Sequence, residues 1–145
     1  MRAYFPLLAA IFGLFIGSFL NVCIHRIPRG ESIVFPPSKC PGCGTKIKPW
    51  DNVPVLSYLL LLGRCRGCGQ RISLRYPVVE LLSGLLALTM FSAFGPTPAA
   101  LIYYAWACNL LVVTFIDIDF QIIPDSLSLG GIAAGFVLVW WLPVS

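Results

Sequence analysis

The sequence predicts an all-α polytopic membrane protein of about four transmembrane helices, with a small cysteine-rich domain between the first and the second. Three observations predict it. The chain is 58% hydrophobic and only 11% charged, whereas a soluble domain averages about 45–50% apolar and about 25% charged. Too little polar surface remains to cover a single soluble core. Two long stretches, residues 81–116 and 126–145, carry no charge at all. Finally, nine of the ten basic residues, and four of the six cysteines, crowd into residues 26–75.

Residues 4–22, YFPLLAAIFGLFIGSFLNV, form an uncharged stretch of 19. At ~1.5 Å per residue this spans the ~30 Å hydrocarbon core. A cleaved signal peptide is the competing reading. Against it stand the single Arg ahead of the apolar run, the length of that run, and the lack of a small-x-small cleavage site. Leu20-Asn21-Val22-Cys23 is also a poor lipoprotein box. Residues 1–23 therefore read as a first, uncleaved transmembrane helix. Gly13 and Gly17 make a small-xxx-small pair that lets a neighbouring helix approach closely. Asn21 either hydrogen-bonds another helix or meets headgroups.

Residues 24–77 form the polar domain. Its nine cations (Arg26, Arg29, Lys39, Lys46, Lys48, Arg64, Arg66, Arg71, Arg75) face two acids, Glu31 and Asp51, a net charge of +7. By the positive-inside rule the domain is cytoplasmic. The basic residues are scattered and lack an aromatic stacking pattern, which argues against nucleic acid as a partner. His25, the single histidine, reads as a juxtamembrane polar residue rather than a ligand. Proline and glycine are dense, so long regular elements are not expected. Residues 54–62, PVLSYLLLL, are too few to span and either pack on the membrane face or fill a small core.

Residues 78–145 carry the other spans. Residues 78–94 make the second, with Glu80 at its start. Gly95-Pro96-Thr97-Pro98 is a tight turn. Residues 99–116 return as the third, and 126–142 make the fourth, with small residues in step at Gly131 and Gly135. Both termini then lie outside, and Asp117, Asp119 and Asp125 lie on the side of the polar domain. No internal repeat or low-complexity segment stands out.

Two patterns carry chemistry. Cys40-Pro-Gly-Cys43 and Cys65-Arg-Gly-Cys68 are two Cys-x-x-Cys pairs with 21 residues between them. Zinc takes four tetrahedral thiolates, and each such turn sets two sulfurs on one ion. The spacing is close to a zinc ribbon, and a cytoplasmic location disfavours disulfides. Redox-active pairs are the competing reading. A four-thiolate zinc is structural, since protein fills every position, and contributes ~10–16 kcal/mol to the folding of a domain with little core. Cys23 and Cys108 read as small core residues.

The second pattern is FIDIDFQIIPD, residues 115–125, which holds three of the six acidic residues between uncharged runs. A carboxylate near the bilayer centre costs roughly 2.5–3.5 kcal/mol, so these residues mark a function, a membrane surface, or both. Aspartic proteases need two carboxylates on one water, one ionised and one protonated. Asp117 and Asp119 lie ~200° apart on an ideal helix and do not converge. On an unbroken helix Asp117 and Asp125 would be ~12 Å apart, but Pro124 breaks or restarts the helix. Asp125 reads as the N-cap of the fourth span and Asp119 as a solvated surface residue. Asp117 is the candidate catalytic carboxylate, with Asp125 and Asp119 in support.

Together these residues resemble the bacterial type IV prepilin peptidase family, membrane aspartic proteases of the GxGD class. The matching stretches are Gly17-Ser-Phe-Leu-Asn-Val-Cys-Ile-His-Arg-Ile-Pro28, the Cys40/Cys43 pair, Asp51-Asn-Val-Pro-Val-Leu-Ser57 and Gly63-Arg-Cys-Arg-Gly-Cys68. They continue through Ile72-Ser-Leu-Arg-Tyr-Pro-Val-Val-Glu80 to Asp117-Ile-Asp119 and Ile123-Pro-Asp125. The resemblance implies a bifunctional enzyme of the bacterial inner membrane. It would cleave the leader of prepilins or pseudopilins at the cytoplasmic face and then methylate the new N-terminus with S-adenosylmethionine. It implies Asp117 as the first catalytic aspartate, and a cytoplasmic zinc domain at Cys40, Cys43, Cys65 and Cys68 linked to methylation. The family's second aspartate belongs to a GxGD motif, and no GxGD occurs here. The chain thus reads as the N-terminal half of such an enzyme: a truncated product, a pseudoenzyme, or a split enzyme completed by a second chain. The competing reading is a non-catalytic membrane protein whose zinc domain binds pilus or secretion assembly components. No G-x-G-x-x-G nucleotide loop marks a methyl-donor site.

Overall fold

The computed structural model describes residues 4–140. Five α-helices follow one another: α1 (Tyr4–Arg26), α2 (Leu56–Leu60), α3 (Arg75–Phe94), α4 (Pro98–Phe120) and α5 (Asp125–Val139). There is no strand among the described residues, only two isolated antiparallel bridges. Three helices, α1, α3 and α4, are long and apolar enough to cross a membrane. The expected fourth span is shorter: α5 has 15 described residues, about 22 Å of helix against a ~30 Å core. Its expected end at Leu142 lies outside the described residues.

Small residues set how the bundle closes. A Cβ on Gly13 would stand 2.7 Å from Ala87 Cβ, and one on Gly17 would stand 2.6 Å from Glu80 Cα. Bare backbone at both positions lets α1 and α3 run antiparallel in direct contact, as the small-xxx-small pair predicts. Near the polar domain, Asn21 Nδ2 donates to the Tyr76 carbonyl at 3.0 Å. Asn21 therefore serves another helix and not the headgroups. At the other end Phe5 meets Phe91 edge-on, centroids 5.8 Å apart.

Helix α4 joins this pair by polar and aromatic contacts. Ser83 Oγ and Tyr104 Oη lie 2.8 Å apart in the buried α3–α4 seam, where each hydroxyl answers a group that would otherwise be unpaired in an apolar setting. Ile24, Val79, Ala87, Ala100 and Ile116 form the core beside it. Thr97 caps α4, its hydroxyl accepting from the Ala100 amide, and Pro98 occupies the first helical position, where no amide is needed. On the far side of α4, Gly135 admits the Trp106 ring and Gly131 faces Asn109, so the paired glycines of α5 seat it on α4.

The polar domain is irregular, as its proline and glycine content predicts. Between α1 and α3 its described residues hold only 3-10 turns at Ile27–Arg29 and Pro49–Asn52 and the short α2. Two hinges fasten it. Arg26, in the last turn of α1, donates to the carbonyls of Ser32 at 2.8 Å and Pro36 at 2.7 Å. Glu80, 7% exposed, accepts from the Val55 amide at 2.7 Å. Val55 holds a positive φ of 60°, so a buried carboxylate pins a backbone conformation that valine rarely adopts.

Candidate functional site

The structure brings the four cysteines together. Their sulfurs all lie within 4.8 Å of one another, with Cys40–Cys68 at 3.8 Å and Cys43–Cys65 at 3.9 Å. A metal with sulfurs at about 2.3 Å in a tetrahedron sets them about 3.8 Å apart. All four thiols are free, so the cluster can hold a metal ion, one pair from each Cys-x-x-Cys turn.

The two turns are copies of each other. Residues 39–47 read Lys-Cys-Pro-Gly-Cys-Gly-Thr-Lys-Ile and residues 64–72 read Arg-Cys-Arg-Gly-Cys-Gly-Gln-Arg-Ile. In the first, the Cys40 amide donates to Thr45 and the Gly44 amide to Cys40; in the second, Cys65 donates to Gln70 and Gly69 to Cys65. Gly44 and Gly69 both have φ near +70°, a conformation that favours glycine. Each knuckle is closed by one antiparallel bridge, Lys39 to Lys46 and Arg64 to Arg71. No repeat stands out from the sequence as a whole, yet superposing the two cysteine turns at residue level shows it directly.

Local hydrogen bonds prepare these sulfurs unequally. The Thr45 hydroxyl, 3.2 Å from Cys43 Sγ, brings that thiol down to about 6. Backbone amides of Cys68 and Gly67 lower Cys65. For Cys68 the Gln70 amide favours the thiolate, but desolvation and the three neighbouring sulfurs outweigh it and push the thiol to about 11. Four thiolates this close repel one another, and a divalent cation is what lets all four ionise together. Asp51 holds the second knuckle from outside: its carboxylate takes Arg66 Nε at 3.1 and 3.0 Å and Nη2 at 2.6 Å. That fork keeps the Asp51 carboxyl below its ordinary range.

The aspartates lie at the same end of the bundle as this domain. Arg75, the first residue of α3, pairs with Asp119 in the last turn of α4, and Arg29, just past α1, stacks over Phe120 at 5.0 Å. Asp119 is thus not simply solvated, as the sequence suggests; a cation 44 positions earlier neutralises it. Helix α4 continues through Phe120, so Asp117 points ~200° away from Asp119. It is exposed, and its carboxylate has no ion-pair or hydrogen-bond partner among the described residues. Asp117 shares the face of α4 that carries Trp106, eleven residues earlier and ~20° off in angle, which is the face against α5. Asp125 itself is the first residue of α5; Pro124 holds the cap position, and no side chain caps the helix. The expected Asp125 N-cap is therefore not formed, and its carboxylate faces the positive end of α5 as a charge instead. His25 is exposed, beside Arg29 and not among the cysteines.

The family model for the bacterial peptidase A24 N-terminal domain matches residues 11–94. This chain belongs to that family. The match takes in the polar domain and α3 and ends before the three aspartates. Curated relatives extend across them. The chain is 45% identical over 144 residues to the prepilin leader peptidase/N-methyltransferase of Myxococcus xanthus (strain DK1622), covering 97% of this chain and 43% of the relative. It is 36% identical over 167 residues to the protein of that name in Pseudomonas putida, covering 98% and 58%. It is 40% identical over 154 residues to that of Neisseria gonorrhoeae, covering 90% and 54%. The chain spans about half the length of these relatives. No solved structure matches it.

Proposed function

We propose that this chain supplies the zinc domain and the first catalytic aspartate, Asp117, of a prepilin peptidase that also methylates the trimmed N-terminus. The observation that carries the reading is the contrast between Asp117 and Asp119. One carboxylate is held by Arg75; the other, two residues earlier on the same helix, is exposed and has no partner among the described residues. A general base must be able to reach its proton, and of the two only Asp117 has nothing to release first.

The domains divide accordingly: residues 1–23 anchor, 24–77 hold zinc, and 78–145 carry the aspartate. The four cysteines take the zinc, a soft-ligand tetrahedral set that suits it, and the metal supplies folding energy to the polar domain. The +7 charge of that domain supports a cytoplasmic position under the inner membrane of a bacterial cell. A prepilin brings a basic leader followed by an apolar helix; the helix enters beside α4 and α5, and the leader meets Asp117 at the surface. The second carboxylate comes from a GxGD-bearing segment outside these 145 residues, on the same polypeptide or a second one, with Asp125 and Asp119 as supporting candidates in this chain. Methyl transfer would draw on S-adenosylmethionine.

The test is reconstitution. Membranes containing the 145-residue chain, a GxGD-bearing second half, or both are given a model prepilin, and the leader is followed by mass. Cleavage only with both halves is expected. Cleavage by the second half alone, or none with both folded and co-purifying, would overturn the reading in favour of a non-catalytic zinc-domain protein.

A further inference from the structure

An open cleft of about 400 Å³ lies where the second knuckle meets the start of α3, walled by Tyr58, Leu62, Arg64, Arg71, Ile72 and Leu74. Neither the cysteine cluster nor the carboxylates use it. Its two cations stand opposite each other across the antiparallel bridge of the knuckle. Like charges directly opposite destabilise such a pair, and neither guanidinium has an acidic partner among the described residues; the two ion pairs there involve Arg66 and Arg75. The remaining wall is apolar and open, with Leu62 84% and Leu74 68% exposed. Beside it, Leu56, Leu59 and Leu60 line one side of α2, all exposed. A small water-borne anion would satisfy the arginines and leave these leucines in water.

The place of the cleft in the fold names a better occupant. Ile72, Ser73 and Leu74 lead straight into α3, which is long and apolar enough to cross a membrane. Three residues reach at most about 10 Å, and the headgroup layer is about 5–7 Å deep on each side of the hydrocarbon. The Tyr58 hydroxyl donates to the Ile72 carbonyl at 3.3 Å, fixing α2 to that segment. Glu80, five residues into α3, holds the Val55 amide, which sets the start of α2 some 7.5 Å along the helix from Arg75. The leucines of α2 therefore face the depth where acyl chains begin, and the arginines the depth of phosphates.

We propose that this cleft binds an anionic phospholipid, its phosphate held between Arg64 and Arg71 and its chains lying over Leu62 and Leu74. Guanidinium forks match phosphate oxygens, and the lipid supplies in one molecule the counter-charge and the apolar cover that the cleft lacks. The first knuckle, with Lys39 and Lys46 at the equivalent positions, does not line the cleft and is the internal control. The proposal needs only that α3 crosses a bilayer; it is independent of the peptidase reading.

The full chain, purified in neutral detergent with its metal, is titrated with short-chain phosphatidylglycerol or with phosphatidylcholine of the same chain length, and bound lipid is counted by native mass spectrometry. Phosphatidylglycerol is expected to bind preferentially. Arg64→Gln with Arg71→Gln should weaken it roughly tenfold to thirtyfold, while Lys39→Gln with Lys46→Gln leaves it unchanged. On the unsubstituted chain, phosphatidylglycerol should protect Arg64 and Arg71 from phenylglyoxal, mapped by peptide mass, whether or not the double variant folds. Equal binding of the two lipids, equal loss in both double variants, or failure to protect the arginines would overturn the proposal. Displacement by an equal concentration of inorganic phosphate would also overturn it, making this a free-anion site.

Discussion

Replacing Gly17 with alanine should loosen α1 from α3, and its size can be worked from the contact. The added Cβ would stand 2.6 Å from Glu80 Cα and 2.9 Å from Ser83 Cβ. Carbon atoms settle at about 3.5–4.0 Å, so one helix must back away by about 1 Å. Neither neighbour is the flexible end of a long side chain, and the displacement falls between Ala87 on one side and the Asn21–Tyr76 hydrogen bond on the other. Overpacking of this kind costs about 1–3 kcal/mol. Cys23, six residues along α1 and 7% exposed, reports the opening. In mixed micelles of rising SDS content, its labelling by a maleimide, located by peptide mass, should accelerate roughly fivefold to 150-fold in the Gly17→Ala variant, at about tenfold per 1.4 kcal/mol. Gly130→Ala is the control, since a Cβ there meets nothing within 4 Å and alanine favours the helix by about 1 kcal/mol. Equal labelling of Cys23 in the Gly17 variant and the parent would refute the packing argument.

Cys43→Ser should cost the polar domain its metal and hence a large part of the ~10–16 kcal/mol such an ion supplies; metal analysis should find none bound, and protease should cut within residues 30–74 while the helical content of the bundle persists. Glu80→Ala should leave the Val55 amide unpaired at a cost of about 1–3 kcal/mol, read as faster hydrogen exchange at residues 55–60. Glu80→Gln keeps an acceptor oxygen and should exchange nearly as slowly as the parent; equal exchange in all three proteins would remove Glu80 as the hinge.

What could be read from the sequence followed from forces that act locally. Charge-free runs forecast α1, α3 and α4 because a bilayer tolerates little else, and two Cys-x-x-Cys turns forecast the cluster because a turn of that length sets two sulfurs on one side. Gly13 and Gly17 announced a close approach but not its partner. The features that escaped depend on pairs distant in the chain. Asp119 looks solvated until the fold brings Arg75 to it. Asp125 looks like a cap until Pro124 takes that position with no side-chain hydrogen bond. The apolar run at 54–62 allowed either a small core or a membrane face; with Leu56, Leu59, Leu60 and Leu62 all exposed, these four leucines do not fill a core. The knuckle repeat was within reach: residues 39–47 and 64–72 match at both cysteines, two glycines, the flanking cations and the final isoleucine.

The most direct test of the account is leader cleavage by the reconstituted enzyme with Asp117→Asn set against Asp119→Asn. The amide keeps the shape of Asp117 but cannot act as base. The account predicts cleavage reduced at least a hundredfold by Asp117→Asn, in line with the usual contribution of a general acid or base. Asp119→Asn, which only weakens the tie to Arg75, should have a milder effect. Cleavage at the parent rate by the Asp117→Asn enzyme would contradict it.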